Sequence, residues 1–223
     1  MTERPRLALF VFDLAGTTVC DDDHVVQSFV RAAAVHGLAV APAALRTCMG
    51  MHKQQVFTEL LAAAGRPIDG AAAMAQQFQR EFAALAQERP LQPTRGAGAA
   101  IAALREAGVQ VAFSTGFARA TADLVLGAMG WSEFPSIASD EVAHGRPAPD
   151  LIQRMMAMCG VQEPARVGVA GDTPADLQAG SAAGCRFVVG VGTGKHTLVE
   201  LGRHAHTHLL ADLTALPALV LGS

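Results

Sequence analysis

Leu7-Ala8-Leu9-Phe10-Val11-Phe12-Asp13-Leu14-Ala15-Gly16-Thr17-Thr18 joins six uncharged, mostly bulky residues to an aspartate and a Gly-Thr-Thr turn. Such a run fits a strand buried on both faces of a parallel sheet. In open α/β sheets, ligands bind beyond the carboxyl ends of the strands. A carboxylate held there, beside a turn offering backbone N–H groups, suits a phosphorus centre as nucleophile, metal ligand or both. The same residues also describe a turn aspartate beside a helix-capping threonine, and this stretch alone leaves both readings open.

Outward from this turn the pattern becomes helical. Val25, Val26, Phe29, Val30 and Ala33 recur at three- and four-residue spacing, and Gly37 stops the run. The spacing predicts a short helix over Pro42–Thr47, a longer one from His52 to Ala64, and a third over Ile68–Gln87 with Met74, Phe78, Phe82 and Leu85 on one face. No strand pattern occurs between Asp23 and Arg89. From Gly96 onward, helices alternate with strands at Val109–Ser114, Ser136–Ala138, Val167–Gly171 and Phe187–Gly190, which indicates a parallel sheet covered on both faces. The first strand belongs to that sheet, so the helical block is an insertion into an α/β core.

The chain has 223 residues, of which 51% are hydrophobic and 17% charged, enough to bury a substantial core. A net charge of −3 without a basic stripe gives no electrostatic footprint for nucleic acid. Cys20, Cys48, Cys159 and Cys185 form no Cys-x-x-Cys pair and read as reduced thiols. Six apolar residues before Asp13 are too few for a signal or membrane segment, so a soluble cytoplasmic protein is expected, with no membrane partner.

Three further places carry chemistry. Ser114-Thr115-Gly116 ends a strand, where a hydroxyl could donate to a phosphoryl oxygen or simply cap the next helix. Arg146 lies in a Gly-Arg-Pro-x-Pro loop stiffened by Pro147 and Pro149; an exposed loop arginine is usually just solvated. Gly171-Asp172-Thr173-Pro174-Ala175-Asp176 follows another strand. Thr173 suits an N-cap, Pro174 the first helical position and Asp176 the positive helix end. Capping accounts for Asp176 but leaves Asp172 unexplained, and Asp13 with Asp172 would offer hard oxygen ligands to Mg²⁺.

Lys53 precedes the apolar stripe Val56, Phe57, Leu60, Leu61 and Ala64, so it projects on the packed side of its helix. It also lies in the first turn, where the helix dipole disfavours an ammonium. Both effects favour the free amine that a Schiff base needs, although a lysine snorkelling from the rim of the stripe has the same sequence.

Asp13-Leu14-Ala15-Gly16-Thr17-Thr18 after an apolar strand resembles the nucleophile motif of the haloacid dehalogenase (HAD) superfamily. Most phosphatases of that superfamily carry a second aspartate two residues on, as general acid; Ala15 stands there in this chain. Asp-x-Ala-Gly-Thr-Thr, Gly145-Arg146-Pro147 and Met49-Gly50-Met51-His52-Lys53 are similar to the phosphonoacetaldehyde hydrolase (phosphonatase) branch. The resemblance runs from Leu7 to about Gly194. It implies a three-layer Rossmann-like parallel-sheet core, residues 1–19 and 94–223, with a helical cap, residues 20–93, inserted after the first strand. It assigns Asp13 as nucleophile and Lys53 as imine former. Arg146, Ser114, Thr115, Gly116, Met49 and His52 would contact the substrate. Mg²⁺ would bind Asp13, the backbone carbonyl of Ala15, and Asp172, supported by Asp176 and Thr17.

The implied reaction is C–P cleavage of phosphonoacetaldehyde or a related small phosphonate through an aspartyl-phosphate, and dimerisation through the cap is implied as well. Ala15 cannot protonate an ester oxygen, which argues against the alternative of a phosphatase acting on small phosphate esters. A catalytically silent binder of phosphorylated ligands is the third reading, opposed by the intact Asp13, Ser114, Arg146 and Asp172. The chain departs from the branch in having Val56 where a histidine is usual, and Asp21-Asp22-Asp23-His24 where an aromatic and a cysteine are usual. Gly190–Lys195 resembles a P-loop but lacks its first glycine, since Val189 stands there. His196, His204, His206 and His208 lack a metal-site pattern and read as solvated.

Overall fold

The computed structural model describes residues 6–222; the expectation drawn from the opening residues 1–5 lies outside the described residues. In order, the chain forms β1 (Leu9–Phe12), α1 (His24–Val35), α2 (Lys53–Ala63), α3 (Ala71–Glu88), α4 (Ala97–Glu106), β2 (Gln110–Ser114), α5 (Arg119–Met129) and β3 (Ser136–Ile137). There follow α6 (Asp150–Met158), β4 (Val167–Gly171), α7 (Pro174–Ala182), β5 (Phe187–Val191), α8 (Leu198–Leu201), β6 (His208–Leu210) and α9 (Leu216–Leu221).

The six strands make one sheet in the order β3-β2-β1-β4-β5-β6, every pair parallel. β1 is central, with Phe10 opposite Val111 on one side and Gly168 on the other. Its alternate side chains enter different cores. Phe10 and Phe12 pack with residues of α4, α5 and α9, while Leu9 and Val11 pack with residues of α6 and α7. That two-sided burial is why the strand's sequence is apolar at every position rather than at alternate ones. The chain therefore has the Rossmann-like α/β architecture expected of it.

Among the described residues, no strand interrupts the block between β1 and β2. Its helices share an aromatic interior: Phe29 of α1 lies 5.1 Å from Phe57 of α2 and 4.7 Å from Phe78 of α3, centroid to centroid. The stripe Met74, Phe78, Phe82 and Leu85 is buried as its spacing predicts. Each such phenylalanine stabilises the block by roughly 2–3 kcal/mol through burial. Two short segments differ from expectation. Pro42–Cys48 is a 3-10 helix, and Ile68–Gly70 forms a 3-10 turn before α3 begins at Ala71. Gly70 sits at that junction, where a residue with no side chain and low helix propensity interrupts the apolar periodicity.

The chain enters and leaves this block through two adjacent segments. Val19 and Pro93 form an antiparallel bridge, Cys20 N donates to Gln92 O at 2.8 Å, and Thr94 N donates to Thr18 O at 2.9 Å. The buried ring of His24 reaches the carbonyl oxygens of Asp21, at 2.5 Å, and Arg89, at 2.9 Å, and so ties the two segments together. No helix among the described residues is long and apolar enough to cross a membrane. No disulfide joins Cys20, Cys48, Cys159 or Cys185.

Candidate active site

The carboxyl ends of β1, β2 and β4 meet at one point, and each delivers a polar residue there. Asp13 continues β1, its N–H donating to Ala170 O at 3.0 Å. Ser114 ends β2, and Asp172 follows β4. All three are buried, as are Arg146 and Asp176. Arg146 Nη1 donates to Asp13 Oδ1 at 2.6 Å and lies 2.5 Å from Asp176 Oδ1. Its Nη2 donates to the Ser114 carbonyl at 2.7 Å and to Ser114 Oγ at 2.8 Å. The loop arginine is thus a buried hub and not a solvated charge.

Asp176 is held by a capping box at the start of α7. Thr173 N and Thr173 Oγ1 donate to its Oδ2, at 3.0 and 2.6 Å, and its own N–H donates to Thr173 Oγ1. Thr17 Oγ1 donates to Asp172 Oδ1 at 3.1 Å.

Burial sets the electrostatics. It pushes Asp13 up to about 6, although the Arg146 charge pulls the other way. Burial, then repulsion from Asp13 and Asp176, raises Asp172 well above the usual carboxylate range. For Arg146, burial opposes the charge, but Asp176 and Asp13 outweigh it and hold the guanidinium above its ordinary value. Asp13, Asp172 and Asp176 each offer an oxygen, all within 4.8 Å of one another. Asp176 Oδ1 meets the Arg146 charge, but among the described residues it accepts no well-aligned hydrogen bond. Three buried carboxylates around one guanidinium, with an oxygen short of a donor, fit a hard divalent cation such as Mg²⁺. Here Asp176 stands in the cluster itself, closer than the supporting place the resemblance implied.

A cavity of about 20 Å³ opens beside this cluster. Asp13, Ala15, Thr115, Gly116 and Asp172 border it from the sheet side, and Met49, Gly50 and Lys53 from the helical side. Thr115 and Gly116 face this space, while the Ser114 hydroxyl is engaged with Arg146. His52 is not part of it. That ring lines the neighbouring clefts, and burial lowers its pKa. The two halves touch through backbone: a Cβ on Gly116 would run into the carbonyl oxygen of Gly50. Only a glycine lets the two main chains approach so closely.

Lys53 is buried at the start of α2, as the stripe predicted. Its Nζ donates to Met51 O at 3.2 Å and lies 4.9 Å from the centroid of Phe117, and 5.8 Å from those of Phe29 and Phe78. Burial lowers its pKa to about 8, against the opposing pull of Asp13.

Two regions set aside in the sequence prove to adjoin the site. The loop after β5 is not a P-loop, yet it folds over the first turn. Thr193 Oγ1 donates to Gly16 O at 2.6 Å, and a Cβ on Gly194 would collide with the Asp172 carboxylate. Lys195 Nζ donates to Asp23 Oδ1 at 2.6 Å and lies 3.8 Å from Asp21 Oδ2. Within the acidic run Asp21 is buried, while Asp22 and Asp23 are exposed. A Gly-x-Gly pair at the carboxyl end of a strand was the available signal for this loop. The late histidines are half-buried or exposed, and they join no metal-type cluster among the described residues.

Residues 7–184 match the family model of the haloacid dehalogenase-like hydrolases, and the chain belongs to that family. Within it the chain falls in the phosphonatase-like branch. It is 26% identical over 208 residues to a phosphonoacetaldehyde hydrolase of Bacillus cereus, covering 86% of this chain and 78% of that one. It is 28% identical over 116 residues to a phosphonoacetaldehyde hydrolase of Latilactobacillus sakei, covering 48% of this chain but only 43% of the relative's length. The crystal structure of a hydrolase from Pseudomonas syringae shares the fold with a TM-score of 0.86 at 22% identity, over 95% of this chain and 97% of that one.

Proposed function

We propose that the protein cleaves the C–P bond of phosphonoacetaldehyde or a closely related small phosphonate. The observation that carries this reading is the shared cavity: a buried lysine amine and a buried aspartate face the same space, and the position of the usual general acid holds the methyl group of Ala15. An ester oxygen leaving from Asp13 would find no proton donor at that position. A carbon leaving group needs none there if its electrons can flow into an iminium.

In this reading Lys53 Nζ adds to the aldehyde carbon, and loss of water gives the iminium. Asp13 forms a bond to phosphorus as the C–P bond breaks, and the released electron pair becomes the enamine. Arg146 balances the charge of Asp13 and of the phosphoryl group, held in place by Ser114 and Asp176. Thr115 and the Gly116 N–H line the phosphoryl end. Water then splits the aspartyl-phosphate, and protonation and hydrolysis of the enamine release acetaldehyde and restore the amine. Asp13, the Ala15 carbonyl and Asp172 would hold Mg²⁺, with Asp176 at the edge of the same cluster. When bound, the ion supplies charge neutralisation at the phosphoryl oxygens. Residues 20–93 act as the cap that brings Lys53 over Asp13.

The test combines phosphate release with trapping. Phosphonoacetaldehyde should be cleaved in preference to phosphoglycolate and sugar phosphates, and borohydride in its presence should leave a secondary amine on Lys53, located by peptide mass mapping. Lys53→Arg keeps the charge but cannot form the imine, and it should lose C–P cleavage by roughly 10³-fold or more. An unlabelled Lys53 together with an active Lys53→Arg enzyme would remove this reading.

A further inference from the structure

The chain contains two lysines, and both stand where the helical block meets the strand ends. Lys53 borders the cavity beside Asp13, whereas Lys195, in the loop after β5, takes no part in the chemistry described so far. That cavity, at about 20 Å³, holds about one water. A phosphorylated substrate is larger, so the helical block must part from the strand ends each time a substrate enters or a product leaves.

The chain crosses between the two halves just before α1, and there its backbone is held in an uncommon form. Asp22 and Asp23, at φ 36° and 63°, are consecutive non-glycine residues in the left-handed region. Such a conformation persists only where its surroundings hold it. Two of the holding contacts come from the helical block itself: Arg89 Nη1 donates to Asp22 O at 2.9 Å, and the His24 ring meets Asp21 O. The third crosses from the sheet side, where Lys195 Nζ donates to Asp23 Oδ1 at 2.6 Å and lies 3.8 Å from Asp21 Oδ2.

Asp21 makes this more than a surface ion pair. Its Oδ1 accepts from Val25 N at 2.9 Å, but its buried Oδ2 accepts no hydrogen bond among the described residues and faces the Lys195 ammonium. An exposed pair contributes little, whereas a buried carboxylate depends on its counter-charge. For Lys195, burial opposes the charge, but the Asp23 hydrogen bond and the charges of Asp21, Asp23 and Asp22 outweigh it and keep the ammonium above its ordinary value. On its own side the lysine is anchored, because Thr193 ties the loop to Gly16 O and Gly194 packs against the Asp172 carboxylate.

We propose that Lys195 is a positioning residue: it latches the first turn of the helical block to the loop over Asp172, and so keeps Lys53 opposite Asp13. Parting of the halves breaks its bond to Asp23 and weakens its attraction to Asp21, and closing restores both. The latch is electrostatic, and it does not depend on which phosphorus compound the enzyme takes.

The experiment reads opening through Lys53, which is buried and should react with acetic anhydride only in molecules that have opened. With Lys195 replaced, Lys53 is the one lysine left, so peptide mass mapping follows it without interference. Labelling of Lys53 should be about three- to tenfold faster in Lys195→Met and in Asp23→Asn than in wild type, while Lys195→Arg, which keeps the charge, should stay within about twofold. Raising salt from about 0.01 M to about 1 M should speed labelling of wild type several-fold and change Lys195→Met far less. Lys195→Met also leaves the buried Asp21 carboxylate without its counter-charge, so the double variant Lys195→Met/Asp21→Asn separates the latch from a loss of stability. It should regain melting temperature and still label fast. Labelling of Lys195→Met at the wild-type rate, or a return to that rate in the double variant, would overturn the latch. Should Lys195→Met fail to fold, Asp23→Asn, which removes only the exposed partner, decides: unchanged labelling there would overturn it too.

Discussion

At the strand ends, Arg146 contacts Asp13 and Asp176 at 2.6 and 2.5 Å and is braced by two further bonds to Ser114. On the helical side of the same cavity, Lys53 has one hydrogen bond, to a carbonyl at 3.2 Å, and aromatic faces around the rest of its ammonium group. At the strand ends opposite charges face one another, so the Arg146 guanidinium offsets part of the burial that raises Asp13 to about 6. The amine end withdraws solvent and offers little in return, so the ionised form is the one that suffers. One cavity is thus bordered by a carboxylate whose burial is offset by a paired guanidinium and by an amine whose burial is offset far less, and each half can be disturbed without the other.

The largest effect belongs to the charged half. Asp13→Asn keeps the shape but supplies neither a nucleophile nor an anionic ligand, and phosphate release should fall by roughly 10⁴-fold or more. Thermal unfolding should show an intact fold, because Arg146 retains Asp176 and Ser114. Near-wild-type turnover by a folded Asp13→Asn protein would refute the assignment.

A smaller loss is expected from Gly194→Ala. The added methyl runs into the Asp172 carboxylate and displaces it from the cluster. Mg²⁺ affinity, followed by calorimetric titration, and activity should both drop by about 10–100-fold. An unchanged affinity would mean that Asp172 does not serve the ion.

The smallest effect probes the solvent-poor half. Imine formation needs the neutral amine, so the rate of borohydride trapping should rise with pH through about 8, where burial places Lys53. Asp13, Asp21 and Asp176 pull that value upward, and Arg146 pulls it down together with burial. Phe117→Ala would admit water beside Nζ, relieve the desolvation and move the limb toward the ordinary lysine range. At pH 7.5 this should slow trapping by less than about tenfold. The same shift bears on stability. Between about 8 and the ordinary value of 10.5 the unfolded chain holds a proton that the folded chain does not, so stability gains as pH rises across that window.

What could be read beforehand depended on whether its cause was local. The apolar run before Asp13 foretold a central strand because burial on both faces leaves a mark on every residue of it. Thr173-Pro174-Ala175-Asp176 foretold a capped helix start, and the stripe after Lys53 foretold its burial, since caps and stripes are set within a few residues. The loop Gly192–Lys195 could not be read this way. Its place over Gly16 and Asp172 follows from β5 lying beside β4 in the sheet, a relation between segments far apart in the chain. Asp21 and Asp23 were illegible for the same reason, because their partner Lys195 is more than 170 residues away. Ser114 and Thr115 were placed correctly at a strand end, but which hydroxyl turns to the cavity depends on Arg146, which arrives from a distant loop.

The paired segments at Val19–Pro93 and Thr18–Thr94 carry a consequence for how such a chain can change. Because entry and exit run side by side, everything between them is topologically a long hairpin loop grafted onto the end of β1. Lengthening such a loop adds little closure entropy, about 0.6 kcal/mol for each doubling. The strands that bear Asp13, Ser114 and Asp172 need not move when the graft is enlarged, trimmed or exchanged for another. The helical block is therefore a unit that can be exchanged at two neighbouring backbone positions while the strand ends carrying Asp13, Ser114 and Asp172 stay in place.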